Sequence, residues 1–368
     1  MSREKQGWFS GFGIGFLGVD WGREFVASWV VFLVALPLCM GIAMASQVPI
    51  ALGLWTGIVG GIVVGLLAGS PLQVSGPAAG LIVLILQIVK SHPQAEALRI
   101  LAVIVFLGGI LQMLAGILRL GQWFRAVSPA VIHGMLAGIG VLIFSSQFHV
   151  MIDERSKDSG WKNLLAIPVS VLKAGESFFA GGNSTHHLAA GIGVFTILTV
   201  VLWNHFRPKA LRLLPGPLLG IVLATCVCAV STPAIKYVKF SESLIGSINW
   251  LDLSALWRLI WCVDIWVSAC VIAFIASAET LLCASAVDQM HQGVRTKYDK
   301  ELFAQGVGNI LCGVLGALPM TGVIVRSSAN VDAGAKTRFS SIFHGVWLLL
   351  AVVFFASWLN AIPKAALA

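Results

Sequence analysis

The chain is short of charge. Its 368 residues include 16 Asp and Glu and 24 Lys and Arg, 11% in all, where a soluble domain carries roughly 25%. A soluble globular protein is excluded on that count. Disorder is excluded with it, since disorder needs low hydrophobicity and high charge. Catalytic signatures are missing as well. There is no G-x-x-x-x-G-K-[ST] phosphate loop, no H-E-x-x-H and no G-x-S-x-G elbow, so no enzyme is expected. His186-His187 lacks a third ligand at useful spacing, and no metal site or resident cofactor is expected. The net charge of +8 is scattered between apolar runs and forms no basic stripe, which argues against nucleic acid as a partner. The seven cysteines (Cys39, Cys226, Cys228, Cys262, Cys270, Cys283 and Cys312) lie almost all in apolar runs and read as buried small hydrophobes. The first apolar run, Phe25 to Ala45, is too long for the core of a cleavable signal peptide.

What is abundant is apolar sequence: 58% of residues are hydrophobic, and the mean hydropathy is +0.90. A bilayer span needs roughly 20 apolar residues, so this length accommodates about ten to twelve spans. Runs separated by turn residues place spans near 25–46, 51–69, 77–89, 97–118, 129–148, 186–206 and 214–231. A second set lies near 265–287, 301–317, 325–335 and 339–359. Stretch 149–185, with Asp153, Glu154, Arg155 and Lys157, reads as a polar surface loop. Stretch 232–264 mixes Trp250, Trp257 and Trp261 with charges, as an interfacial helix does. Basic residues at Arg119 and Arg125, Arg207 to Arg212, Arg295 to Lys300, and Lys336 and Arg338 fall on the side of the N-terminus. By the positive-inside rule the expectation is an inner-membrane, multi-pass protein with a cytoplasmic N-terminal segment, 1–24.

Two elements are too short to span. One is Leu72 to Gly80, running into Leu81 to Val89; the other is Leu318 to Asn330. Each begins with an extended or Gly/Pro-interrupted piece and then turns helical, and they occupy matching places in two halves of the chain. Paired broken helices of this kind point to a transporter's midplane site. A helix N-terminus offers unpaired N–H donors and roughly half a positive charge, so two such ends facing each other suit an anion. Pro77 fits a first helical turn, where its missing N–H is not needed. Gly76, Ala78, Ala79 and Gly80 let a solute reach the backbone, and Ser75, Ser327 and Ser328 offer hydroxyls. Arg326 is an ionisable group at membrane depth and requires a partner or a wet cavity. An ion pair with Glu279 is one such partner. Glu279, roughly 21 Å along span 265–287, is the candidate to take a coupling proton or sodium ion, with Thr280, Ser285 and carbonyls freed near Thr321 as further oxygens; Asp288, near the cytoplasmic end of that span, reads either as part of the coupling group or as a solvated or capping carboxylate. His133 and His344 read as packing or hydrogen-bonded residues. An offset of about 240 residues between the halves brings Ile362-Pro363 opposite Ser128-Pro129. A second half that follows the same plan as the first is therefore expected to continue beyond residue 368.

At these residues the sequence resembles the sulfate-permease (SulP) family of anion transporters, which includes bacterial bicarbonate transporters and animal exchangers related to prestin. The similarity is carried by Glu301 to Asn309, Gly316 to Pro319, Thr321-Gly322, Arg326-Ser327, Asn330, Gly334-Ala335 and Thr337. Leu72 to Gly80 and Ala278-Glu279-Thr280-Leu281-Leu282 add to it. The resemblance implies an all-α polytopic fold of seven plus seven inverted helices, split into a core and a gate domain. The first repeat would be 25–231, with core helices in 25–118 and gate helices in 129–231; 232–264 would be the connector, and 265–368 the core part of an incomplete second repeat. It implies a small inorganic anion held by Ala78 and Ala79 on the third element and by Val325, Arg326 and Ser327 on the tenth, with Glu279 in the coupling position. It also implies elevator-like motion, a homodimer in the full-length form, and a following STAS or carbonic-anhydrase-like domain. Where relatives often have Leu-Pro-Gln-Gly, this chain has Leu36-Pro37-Leu38-Cys39, so no polar contact is expected from that helix.

The expected function is secondary active transport of bicarbonate or sulfate, coupled to sodium or protons. The site is expected at Ser75, Gly76, Pro77, Ala78, Ala79, Val325, Arg326 and Ser327, and the coupling group at Glu279, Thr280 and Asp288. Rival readings are an anion channel or exchanger on the same scaffold, a nucleobase permease, and the membrane part of a carbonic anhydrase fusion.

Overall fold

A computed structural model describes the chain except residues 1–18, 126–128, 155, 158–159, 180–185, 209–210, 212 and 240–244. Most of the N-terminal segment 1–24, Ser128 and the side chain of His133 lie outside the described residues. The order is α1 (Trp21–Ala45), α2 (Ile50–Val59), a π turn (Gly60–Val64) into α3 (Gly65–Leu67), then β1 (Ser75–Pro77). A 3₁₀ turn (Ala79–Leu81) leads into α4 (Ile82–Ser91), followed by α5 (Gln94–Ile117), α6 (Gly121–Arg125), α7 (Pro129–Met151) and α8 (Gly160–Phe179). Then come α9 (His186–Phe206), α10 (Gly216–Ser231), α11 (Leu253–Leu259), α12 (Val263–Met290) and α13 (Tyr298–Val314). The chain continues through β2 (Met320–Gly322), α14 (Ile324–Asp332), α15 (Phe339–Leu359) and α16 (Lys364–Leu367). Among the described residues, five helical stretches are long and apolar enough to cross a membrane: Trp21–Ala45, Ile50–Leu67, Ala95–Ile117, His186–Phe206 and Val263–Met290.

Two expectations are corrected. Stretch 149–185 is not a loop, because it holds the 20-residue α8. Its polar residues recur at helical spacing. Asn163 and Ser170 are buried against α7 while Trp161, Leu165 and Leu172 face outward, so the polarity belongs to one stripe of an amphipathic helix. Among the described residues, stretch 232–264 is helical only over Leu253–Leu259, apart from a single 3₁₀ turn and the first two residues of α12. Trp250, Trp257 and Trp261 are exposed along it, as interfacial tryptophans are.

The helices pack as two groups. α5, α12, α13, α1, α2 and α15 surround the two broken elements, while α7 to α10 and α16 pack on one another. The tightest seam is α5 on α13, where Gly109 lies against Gly306 and Ile310, Gly116 against Phe303, and Gly313 against Phe106. A Cβ on Gly116 would lie 2.6 Å from Phe303 N, and one on Gly306 would strike the Met113 backbone. Glycine is needed here because lipid offers helices no hydrophobic reason to associate, so backbones must approach closely enough for dispersion to hold them. The π turn in α2 serves a second crossing: a Cβ on Gly61 would lie 2.6 Å from Gly345 Cα on α15, and one on Gly60 2.7 Å from the Ser75 carbonyl. α1 and α15 are joined by Glu24. Its fully buried carboxylate accepts Lys336 N at 2.8 Å, Thr337 N at 2.9 Å and Ser340 N at 3.0 Å, which satisfies donors at the start of α15.

Two outcomes follow for stability. Glu24→Ala leaves three backbone donors unmet and is expected to cost about 3 kcal/mol, read as a lowered Tm of the detergent-solubilised protein. Gly116→Ala is expected to cost about 1–3 kcal/mol by overpacking. The same change at Gly138, which has nothing within 4 Å of its would-be Cβ, is expected to be neutral or stabilising by up to about 1 kcal/mol.

Candidate functional site

β1 and β2 pair antiparallel, with Ser75 opposite Gly322, Gly76 opposite Thr321 and Pro77 opposite Met320. Each strand leads straight into a helical start, so the two N-termini lie at opposite ends of a three-residue ladder and the helices run away in opposite directions. The sequence keeps these segments unwound by placing Pro71 and Pro77 around β1 and Pro319 before β2. Ala78 N donates to the Pro319 carbonyl at 3.1 Å, and Val323 N to the Val74 carbonyl at 2.9 Å, closing both ends of the ladder.

Side chains from the neighbouring helices meet the remaining polar groups. Asn309 on α13 mimics a further strand: its Oδ1 accepts Met320 N at 2.7 Å and its Nδ2 donates to the Met320 carbonyl at 3.1 Å. Asn309 Nδ2 also donates to Gln112 Oε1 at 2.6 Å, and Gln112 Nε2 to Ser277 Oγ at 3.2 Å. Glu301, fully buried on α13, accepts Gly69 N at 2.8 Å, Ser70 N at 2.9 Å, Gln73 Nε2 at 3.2 Å and Gln305 Nε2 at 3.1 Å. Thr56 Oγ1 donates to the Leu318 carbonyl at 2.9 Å, and Asn330 Nδ2 to the Leu72 carbonyl at 3.0 Å. Sequence reasoning noted 301–309 only as part of a resemblance. The signal that separates it is the i, i+4, i+8 spacing of Glu301, Gln305 and Asn309, a polar stripe on an otherwise apolar helix.

The expected site residues divide into two sets. Ala79 and Val325 are exposed at the two helix starts, Val325 by 54%. Ser75, Gly76, Pro77, Ala78, Arg326 and Ser327 are buried. The Ser75 hydroxyl accepts from Gln305. Ser327 Oγ accepts Val74 N at 2.9 Å and donates to the Val323 carbonyl at 2.7 Å. Both hydroxyls therefore hold the ladder in this conformation and are not turned outward to a solute.

Arg326 has no exposed surface. Its Nη2 donates to Cys39 Sγ at 3.3 Å, whereas Nε and Nη1 have no hydrogen-bond partner among the described residues. Its guanidinium lies against Gly76, where a Cβ would sit 2.8 Å from Cζ, and one on Gly57 would come 4.0 Å from Nη1. The missing Cβ of Gly76 thus makes room for the guanidinium. An ion pair between Arg326 and Glu279 does not form among the described residues. On α1 it is Cys39, next to Leu38, that meets Arg326; this is a contact to the guanidinium and not to a solute.

Glu279 lies at the other helix start. A Cβ on Gly80 would be 2.8 Å from its Oε2, and its carboxylate faces the Gly80 N–H and the Thr321 hydroxyl. Thr280 Oγ1 is used by Gly322 N at 3.2 Å. Asp288 is not part of this group. It sits near the end of α12 and accepts Thr296 N at 3.1 Å and Thr296 Oγ1 at 2.9 Å, fixing the turn into α13. Ser285 lies between them on the same helix. No group of three metal-ligating side chains occurs among the described residues. His344 is fully buried on α15, its Nδ1 2.5 Å from the Ser341 carbonyl. Of the cysteines, Cys39, Cys228, Cys283 and Cys312 are buried as expected, but Cys226, Cys262 and Cys270 are exposed on the outer faces of their segments.

This arrangement has known relatives. The chain is 29% identical over 355 residues to YvdB of Bacillus subtilis, covering 94% of this chain and 62% of that protein. It is 24% identical over 357 residues to the bicarbonate transporter BicA of Picosynechococcus sp., covering 91% of this chain and 58% of that one. It therefore spans about three-fifths of the length of these relatives. The structure of the transmembrane domain of a cyanobacterial BicA superposes with a TM-score of 0.81 at 22% identity, covering 95% of this chain and 86% of that domain. SLC26A9 superposes with a TM-score of 0.77 at 17% identity, over 94% of this chain and 56% of that one. Both share the fold. The sulfate permease family model matches residues 23–368, and with the broken-helix pair in place the chain belongs to that family of membrane proteins.

Proposed function

We propose that this chain is the membrane part of a secondary active transporter for a small inorganic oxyanion, bicarbonate or sulfate. The observation that carries this reading is Arg326, a fully buried guanidinium in the first turn of α14 that lies against Gly76 behind the strand pair and has two unpartnered nitrogens among the described residues. A buried charge without a partner is costly. A negative solute at the helix starts, beside Ala79 and Val325, relieves that cost and is attracted by both helix ends. The family description names sulfate and the BicA relatives are named for bicarbonate; both are small oxyanions that fit beside alanine and valine. In this reading α1 to α5 and α12 to α15 form a core that carries the solute, and α7, α9 and α10 belong to the gate against which it moves.

Glu279 is assigned to coupling, and its surroundings favour a proton over sodium. Sodium needs several oxygen ligands, whereas beside the Glu279 carboxylate and the Thr321 hydroxyl the surroundings offer the Gly80 N–H, a Thr280 hydroxyl already occupied by Gly322 N, and Cys283 one turn on. An ionised Glu279 occupies the positive end of the α4 element itself. A protonated Glu279 leaves that end free for the incoming anion, which ties anion entry to proton entry.

Three results test this by uptake of labelled sulfate or bicarbonate into proteoliposomes of the full-length protein. Arg326→Ala is expected to reduce uptake roughly tenfold to a hundredfold, the worth of about 1.5–3 kcal/mol for a charged hydrogen bond. Gly76→Ala, which displaces the guanidinium, is expected to match that loss, and the double variant to be no worse than either, because both act on one contact. In the parent protein an inward proton gradient is expected to drive accumulation; in Glu279→Gln uptake persists but no longer responds to the gradient. Wild-type accumulation in both Arg326→Ala and Glu279→Gln would refute the site. Unitary currents without accumulation would favour a channel.

A further inference from the structure

Arg326 has one hydrogen-bond partner among the described residues, and that partner is a sulfur. Cys39 Sγ on α1 accepts from Nη2 at 3.3 Å, while Nε and Nη1 meet no acceptor there. Both residues are fully buried. The contact is built by two glycines. A Cβ on Gly57 of α2 would lie 2.6 Å from Cys39 Sγ, and one on Gly76 of β1 would lie 2.8 Å from Arg326 Cζ. One missing side chain seats the thiol and the other seats the guanidinium. Four elements, α1, α2, β1 and α14, therefore converge on this single bond.

The bond is a weak one, because a thiol sulfur accepts a hydrogen bond less strongly than an oxygen does. A carboxylate in its place would pair with the guanidinium and hold it against any solute. An alanine would leave the last of the three nitrogens unmet as well. The oxygens of a small oxyanion are stronger acceptors for a guanidinium than sulfur is, so exchanging one for the other favours the anion.

We infer that Cys39 is the positioning residue of Arg326: its sulfur holds the guanidinium in reserve behind the strand pair, and an incoming oxyanion displaces it. The anion half of this inference rests on the transport reading; the hold of Cys39 on Arg326 does not. The consequence is a trade. The more firmly residue 39 holds Arg326, the more stable the anion-free protein and the weaker its affinity for the anion. A residue that served packing alone would change stability and leave affinity where it was.

Thermal unfolding of the full-length protein in detergent tests it, with sulfate as the titrated anion and binding read as a gain in Tm. Cys39→Ala is expected to lower the anion-free Tm, yet to bring the half-effective sulfate concentration down about threefold to tenfold, the span of one net hydrogen bond. Cys39→Ser, which offers an oxygen, is expected to hold or raise the Tm and to raise that concentration over the same range. In an Arg326→Met background the two substitutions no longer shift the sulfate dependence, and the Tm difference between them shrinks, because the contact is gone. Weaker sulfate binding in both position-39 variants would overturn the inference, as would an undiminished Tm difference between them in Arg326→Met. Should Cys39→Ala fail to fold, Cys39→Ser decides: unchanged or tighter sulfate binding there refutes the displacement. A parent protein whose Tm ignores both sulfate and bicarbonate refutes the anion site itself, while the comparison in Arg326→Met still decides the contact.

Discussion

Every backbone N–H and C=O that leaves regular helix inside a membrane must find its partner within the protein, because hydrocarbon offers none. This chain breaks two helices at the same place and so creates that debt twice. It resolves part of it by pairing the breaks with each other, as the antiparallel ladder of β1 and β2. The rest falls to Asn309, Gln305, Glu301, Thr56, Ser327 and Asn330, each of which places a side-chain donor or acceptor on an unwound segment. Those residues sit on helices that must be held in close register for the bonds to form, and the glycine seam between α5 and α13 holds them there.

The same constraint explains why the site is lean. The hydroxyls and amides near the helix breaks are consumed by the backbone, so little is left over to recognise a solute. What remains is a pair of helix starts lined by Ala79 and Val325, one cation and one acid. Arg326 is sunk behind the ladder in a slot left by Gly76 and bounded by Cys39, while Glu279 stands at the α4 side next to Gly80. The two charges are separated by the ladder instead of cancelling each other. In the proposed reading that separation matters, because a salt bridge between them would remove both the attraction for an anion and the group assigned to coupling.

Much of this was legible before any coordinates. Long apolar runs set the helices, and proline and glycine at 71–80 and 316–322 marked the breaks, because those residues punctuate structure whatever their surroundings. Polar helices were harder to see. α8 reads as a loop when its charges are counted, since the stripe of Asn163 and Ser170 is recognisable only once there is a partner for it to face. Asp288, near the end of its span, could be read as a coupling or as a capping carboxylate, and the structure decides for the cap, because Thr296 folds back onto it from the next segment.

Composition and the order of residues therefore determined the membrane class, the helical spans and the two interrupted elements, all of which depend on local periodicity and on backbone chemistry. Which polar side chains serve the backbone and which remain for a ligand was decided only by tertiary structure. Ser327 and Arg326 are adjacent in sequence, but one hydroxyl is spent on Val74 N while two guanidinium nitrogens go unmet. The reason is physical: partners such as Glu301 for Gly69 N and Ser327 for Val74 N lie more than two hundred positions away, and only packing brings them within 3 Å.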